Sequence, residues 1–235
     1  GALTTSVFTA LAFAHDDSGD LNLYAVRQTA SGDQLVSFAT NAVGVPEVLS
    51  SSITDIAGSS STNRITALDT YGTSTLVAYR DDSSSSTVER DLVFVGLDGS
   101  VEQRLAGGVI DANLNGLAID ADGRVYSVFS SAGTNSQLWQ SESFAQVPSL
   151  ENGDSGTLGS IMNVIALTIG TSGSTFIVTN NDTGFTLEQV QRDADGSASG
   201  TENIGQIIGS NTFNSIIEHR IIFKQQNSRA YYCCH

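Results

Sequence analysis

Carboxylates are the chemically capable side chains in which this chain is richest, with 25 Asp and Glu against 10 Lys and Arg and three His. Glycoside hydrolysis needs two such groups at a set separation, one acid and one base or nucleophile. Asp69 and Asp120 follow the first strands of two similar sequence units, and Glu218 precedes that of another. These three are therefore the acids that could converge as catalysts. Asp120-Ala-Asp-Gly123 and Asp193-Ala-Asp-Gly196 share the spacing that opens a calcium loop, and Asp16, Asp17 and Asp20 cluster in the same way. A full loop would go on to further oxygen ligands and a late bidentate Glu. None follows at the right offset, so Asp and Gly read here as hairpin-tip residues. No metal or cofactor is expected.

Nucleophilic chemistry fares no better. Gly153-Asp-Ser-Gly156 matches the nucleophile tetrapeptide of trypsin-like proteases, but that reaction needs a base His held by a buried acid. The one upstream His, His15, sits in Phe13-Ala-His-Asp-Asp17 and offers no such setting. A flexible Gly/Ser loop accounts for the tetrapeptide. Cys233 and Cys234 adjoin. Neighbouring Cα atoms lie about 3.8 Å apart, below the roughly 4.4–6.8 Å that disulfides prefer. A bridge between them would be a strained ring, and a bond between chains or free thiols remain open. Asn181-Asp-Thr183 is an N-glycosylation sequon, which would need an exposed loop. Trp139, the single Trp, lies in Gln137-Leu-Trp-Gln140 and suits either packing or stacking on a sugar.

The elements that must hold these residues are strands. No window of 12 or more residues carries apolar side chains at helical spacing. Short runs such as Leu21–Val26, Thr75–Tyr79, Leu92–Val95, Val125–Phe129 and Thr175–Thr179 alternate with clusters of Gly, Asp, Asn and Ser. Each of five units begins with an apolar strand, turns on polar residues and returns. Leu11, Leu68, Leu117, Leu167 and Ile222 mark equivalent places, spaced 49 to 57 residues apart. That period accommodates four short strands, one propeller blade. The expected fold is all-β, a small β-propeller of about five blades in one domain spanning 1–235. Its approximate units are 1–58, 59–108, 109–158, 159–208 and 209–235. The last is incomplete, or is closed by the N-terminal segment Leu3–Phe8.

Composition narrows the function classes. The formal charge is −15. A chain of that sign repels phosphate backbones and anionic lipid heads, so neither nucleic acid nor a membrane is an expected partner. The sequence starts at Gly1 without a leader. With the sequon, this favours a processed, secreted protein.

Arg124-Val-Tyr126 and Arg229-Ala-Tyr231 end the two-strand units in Arg-x-Tyr. In this the chain resembles the fungal fucose-binding lectins, a family of small secreted β-propellers. The resemblance implies that Arg124, with Gln140, holds sugar hydroxyls, and that Trp139 or Tyr126 lies under the ring. Arg229 and Tyr231 would do likewise in the last unit. It departs from the family in having one Trp, in units two and four that lack Arg-x-Tyr, and in Asn22 standing where unit one would carry the Arg. The expectation is a non-catalytic module for a glycan or glycoprotein. The alternatives are a propeller hydrolase using Asp69, Asp120 or Glu218, and an assembly protein joined as a homo-oligomer through its C-terminal strand.

Overall fold

The structure is a computed structural model that describes residues 7–40, 46–84, 89–105, 114–129, 136–144, 154–158, 164–170, 172–181, 184–194, 196–207, 224–226 and 229–231. Among these there is no helix. Four four-stranded antiparallel sheets form a four-bladed β-propeller. The first blade comprises β1 (Val7–His15), β2 (Leu21–Gln28), β3 (Asp33–Thr40) and β4 (Pro46–Asp55). The second comprises β5 (Asn63–Tyr71), β6 (Thr75–Asp82), β7 (Glu89–Val95) and β8 (Val101–Leu105). The third holds β9 (Leu114–Ile119), β10 (Arg124–Phe129), β11 (Gln137–Ser143) and β12 (Asp154–Thr157). The fourth holds β13 (Val164–Ile169), β14 (Thr175–Asn181), β15 (Gly184–Arg192) and β16 (Ala198–Ile207). Every sheet runs in chain order, and each lies inside one of the expected repeat units.

Four complete blades stand where about five, the last incomplete or closed by the N-terminus, were expected. Beyond the fourth blade the described residues add only a ribbon, β17 (Lys224–Gln226) with β18 (Arg229–Tyr231). Nor does the N-terminal strand close it where it can be followed. Val7 and Phe8 pair with Gln28 and Arg27 inside the first blade, and Leu3–Ser6 lie outside the described residues. Asp154, Ser155 and Gly156 form the outermost strand of blade three rather than a loop. An outermost strand needs a ladder on one side only, so small residues serve.

Turns repeat as faithfully as strands. Segments 16–20, 96–100, 120–124, 170–174 and 193–197 all close in the same way. The fourth residue, a glycine, donates its N–H to the carbonyl of the first, and the first donates to the carbonyl of the fifth. This is a type I turn ending in a left-handed residue. Asp16 and Asp120 complete it, each accepting two backbone N–H groups on Oδ1 at 2.9–3.0 Å. The calcium-like spacing is thus hairpin chemistry.

The chain divides into two compact units, 1–112 and 113–235. In the first, Ala10, Ala12 and Ala14 of β1 point inward with Tyr24, Val26, Leu35, Ile65, Leu68 and Val93. Small side chains on β1 let it lie beside β5. Thr9 Oγ1 and Thr70 Oγ1 donate across to Ile65 O (3.3 Å) and Phe13 O (2.8 Å). The deepest polar tie joins the same two blades. Asp33, whose side chain is fully buried, pairs with Arg64 Nη1 at 2.8 Å and accepts the Ile65 N–H at 2.6 Å. Arg64 Nη2 donates to Thr29 O, and Ser59 Oγ accepts the Asp33 N–H. In the second unit Tyr126, Val128, Leu138 and Leu158 pack with Val164, Leu167, Ile177 and Val190.

Two predictions follow from these junctions. Removing one partner of a buried ion pair leaves an uncompensated charge, so Asp33→Ala costs about 3–5 kcal/mol in urea unfolding. A loss below about 1 kcal/mol would refute the tie. Gly99, at φ +81°, accepts the Ala57 N–H on its carbonyl, and a Cβ there would stand 2.2 Å from Asp55 O. Gly19 has the same φ with nothing within 4 Å of such a Cβ. Gly19→Ala therefore costs about 1 kcal/mol of backbone strain, and Gly99→Ala costs more than about 2 kcal/mol because the neighbouring strand must also move. Equal losses would disprove the close approach.

Candidate functional site

The second unit gathers part of the expected site. Tyr126 on β10 stands opposite Gln140 on β11. The two lie above the 120–124 turn, whose Asp120 accepts the Tyr126 hydroxyl on Oδ2 at 3.0 Å. Tyr126 is only 7% exposed and packs in the core of the second unit. Arg124 begins β10 and is exposed.

A residue outside the sequence-based set completes the cluster. Arg192, the last residue of β15, sends Nη1 to Gln140 Oε1 (3.1 Å) and to Gly196 O (2.8 Å), and Nη2 to Thr175 Oγ1 (3.0 Å). Its guanidinium carbon lies 5.8 Å from the centre of the Tyr126 ring, within cation–π range. One side chain of blade four thus reads the amide and the aromatic of blade three. Its sequence signal was slight, an Arg immediately before the Asp193–Gly196 turn.

Trp139 behaves differently. It pairs with Ser127 and Ser155 and neighbours Gln140 in the same strand. Successive strand residues face opposite sides of a sheet, so Trp139 looks away from the face that carries Tyr126 and Gln140. Arg229 and Tyr231 belong to β18, where Tyr231 pairs with Lys224 and Arg229 with Gln226. Asp69 lies on β5 opposite Val77 in the first unit, whereas Asp120 lies in the second. Asn181 closes β14 and pairs with Gly184. Glu218, Cys233 and Cys234 lie outside the described residues. No group of three or more His, Cys, Asp or Glu with metal-holding geometry occurs among the described residues.

The electrostatics centre on Tyr126. Its phenol is raised above the ordinary 10.0, first by burial, then by the Asp120 charge and by the hydrogen bond to that carboxylate. Arg192 and Arg124 offset part of this. Asp16, in the corresponding turn of blade one, is held below the usual carboxylate range, chiefly by the Asp20 N–H.

Comparison with known proteins places the architecture. No family model matches the chain. No curated protein matches it either. Among solved structures it is similar to a luciferin-regenerating enzyme, at 14% identity and a TM-score of 0.51, over 85% of this chain and 62% of that one. It is likewise similar to Mala s 1, the major allergen of Malassezia sympodialis, at 12% identity and a TM-score of 0.51, over 97% and 74%. An α-L-arabinofuranosidase from Clostridium thermocellum aligns at 12% identity with a TM-score of 0.44, over 83% and 72%. The chain thus spans less than two thirds of the luciferin-regenerating enzyme's length. The likeness to the first two, at these identities, bears on the fold alone.

The Tyr126 phenol provides a direct check. A group raised in the folded chain and ordinary in the unfolded one lends stability that is whole below pH 10.0 and is lost as pH climbs through the higher folded value. Phenolate absorbance should therefore show a late-titrating tyrosine that Tyr126→Phe removes. A titration unchanged by that substitution would contradict the Asp120 contact.

Proposed function

We propose that this protein is a secreted, non-catalytic binding module whose ligand is a glycan or glycoprotein. The observation that carries the reading is the grouping of Arg124, Tyr126, Gln140 and Arg192 on adjoining blades of the second unit. Saccharides present hydroxyls around an apolar ring face. Planar amide and guanidinium groups match the hydroxyls and would fix orientation, with the buried Tyr126 packed behind them as support. Arg124 is the exposed donor, and Gln140, whose Oε1 is engaged by Arg192, has its amide N–H groups to offer.

The hydrolase alternative draws less support. Asp120 accepts two backbone N–H groups and the Tyr126 hydroxyl, which suits a turn-holding carboxylate better than a proton-transfer group. The likeness to fucose-binding lectins contributes the propeller and the Arg-x-Tyr at Arg124–Tyr126. It does not supply a Trp beneath the sugar, since Trp139 faces the other way. Self-association through the C-terminal strand stays a separate proposal, for which mass measurement with and without reductant is the test.

A glycan array at neutral pH should return saccharide hits. Calorimetry on the best hit should show Arg124→Ala and Gln140→Ala each weakening binding at least about tenfold, about 1.4 kcal/mol. An array without hits, or hits indifferent to both substitutions, would remove this site.

A further inference from the structure

The cations of the two units are treated differently. In the first unit Arg64, Arg80 and Arg90 each hold a carboxylate at 2.6–2.8 Å, from Asp33, Asp91 and Asp81. Arg27 instead bonds the Gln34 amide. In the second unit the two arginines whose side chains are described are Arg124 and Arg192. Neither makes an ion pair with a described carboxylate within 4.0 Å. This is notable in a chain of charge −15, where acids outnumber bases 25 to 10. Arg192 lies over the Tyr126 ring, and Arg124 stands two residues before Tyr126 on the same strand. Arg192 is also half-buried, and a cation withdrawn from water without a counter-charge is costly.

Its geometry is fixed as well. The bonds to Gln140, Gly196 and Thr175 use three of the five guanidinium donors and set its plane. Among the described residues two donors remain. A planar fork held in place is matched to a two-oxygen anion.

We infer that the ligand is an acidic saccharide, one whose carboxylate or sulfate meets Arg124 and Arg192 while its ring lies by Tyr126. This rests on the glycan reading above and narrows it. The anion supplies a counter-charge that no described carboxylate of the second unit gives these two arginines within 4.0 Å. The carboxylate fits the fork in two parallel hydrogen bonds, and a sulfate ester presents the same oxygen spacing.

The test compares trigalacturonate, its methyl ester and a sulfated galactose trisaccharide by calorimetry at low and high salt. Trigalacturonate should bind at least about tenfold more tightly than its ester, and salt should weaken it. Arg124→Gln, an exposed position whose folding is checked by circular dichroism, should abolish that preference while Arg124→Lys retains part of it. The sulfated probe shows whether sulfate substitutes for carboxylate. Equal binding of acid and ester overturns the inference and leaves the glycan reading standing, as does a preference that survives Arg124→Gln. Failure of all three probes, together with an empty neutral-glycan array, overturns both.

Discussion

A buried carboxylate governs how the first two blades meet. Asp33 sits at the start of a third strand, where its side chain has no water, and its oxygens must be satisfied by protein. Arg64 and the Ile65 N–H do so from the next blade. The constraint spreads outward: Ser59 Oγ accepts the Asp33 N–H, the Ile56 N–H donates to the Asp33 carbonyl, and the Ala57 N–H donates to Gly99 O at the far hairpin. Apolar packing alone is tolerant of small slips, but a directional pair with a backbone partner fixes one register.

The second unit has the same backbone frame with different chemistry. Leu158 N bonds Ser136 O just as Ile56 N bonds Asp33 O. Ser136 is buried but brings no charge. There the polar tie between blades is Arg192, reaching Gln140 from the end of β15. Among the described residues, one unit is fastened by a neutralised pair and the other by a cation bonded to neutral groups.

Much of the fold could be read in the chain because it rests on local chemistry. Alternating β-branched runs and Gly or Asp tips sit near each other in sequence, and their period gave the blade. Asp98-Gly99 marked its hairpin, and Trp139 fell in a third strand as expected. Equivalence between units was less secure. Measured from the bulge, Leu11 matches Leu68 and Leu167, but β1 carries two more residues before its turn, so measured from the turn Phe13 is the match. The site was legible only in halves. Tyr126 and Gln140 could be matched through a motif, whereas Arg192 lies 52 residues from Gln140 and meets it only once the blades are assembled. The alternation rule already put Trp139 and Gln140 on opposite faces, so pairing them at one sugar was inconsistent with the strand itself.

Arg192 is a fastener that, under the proposed function, would also meet the ligand. Anything that occupies its remaining donors also pulls on Gln140, Thr175 and the Tyr126 ring, and so tightens the seam between two sheets. Occupancy would be registered as stiffness, with the blades harder to part and their amides slower to exchange with solvent, in addition to the heat of the contact itself.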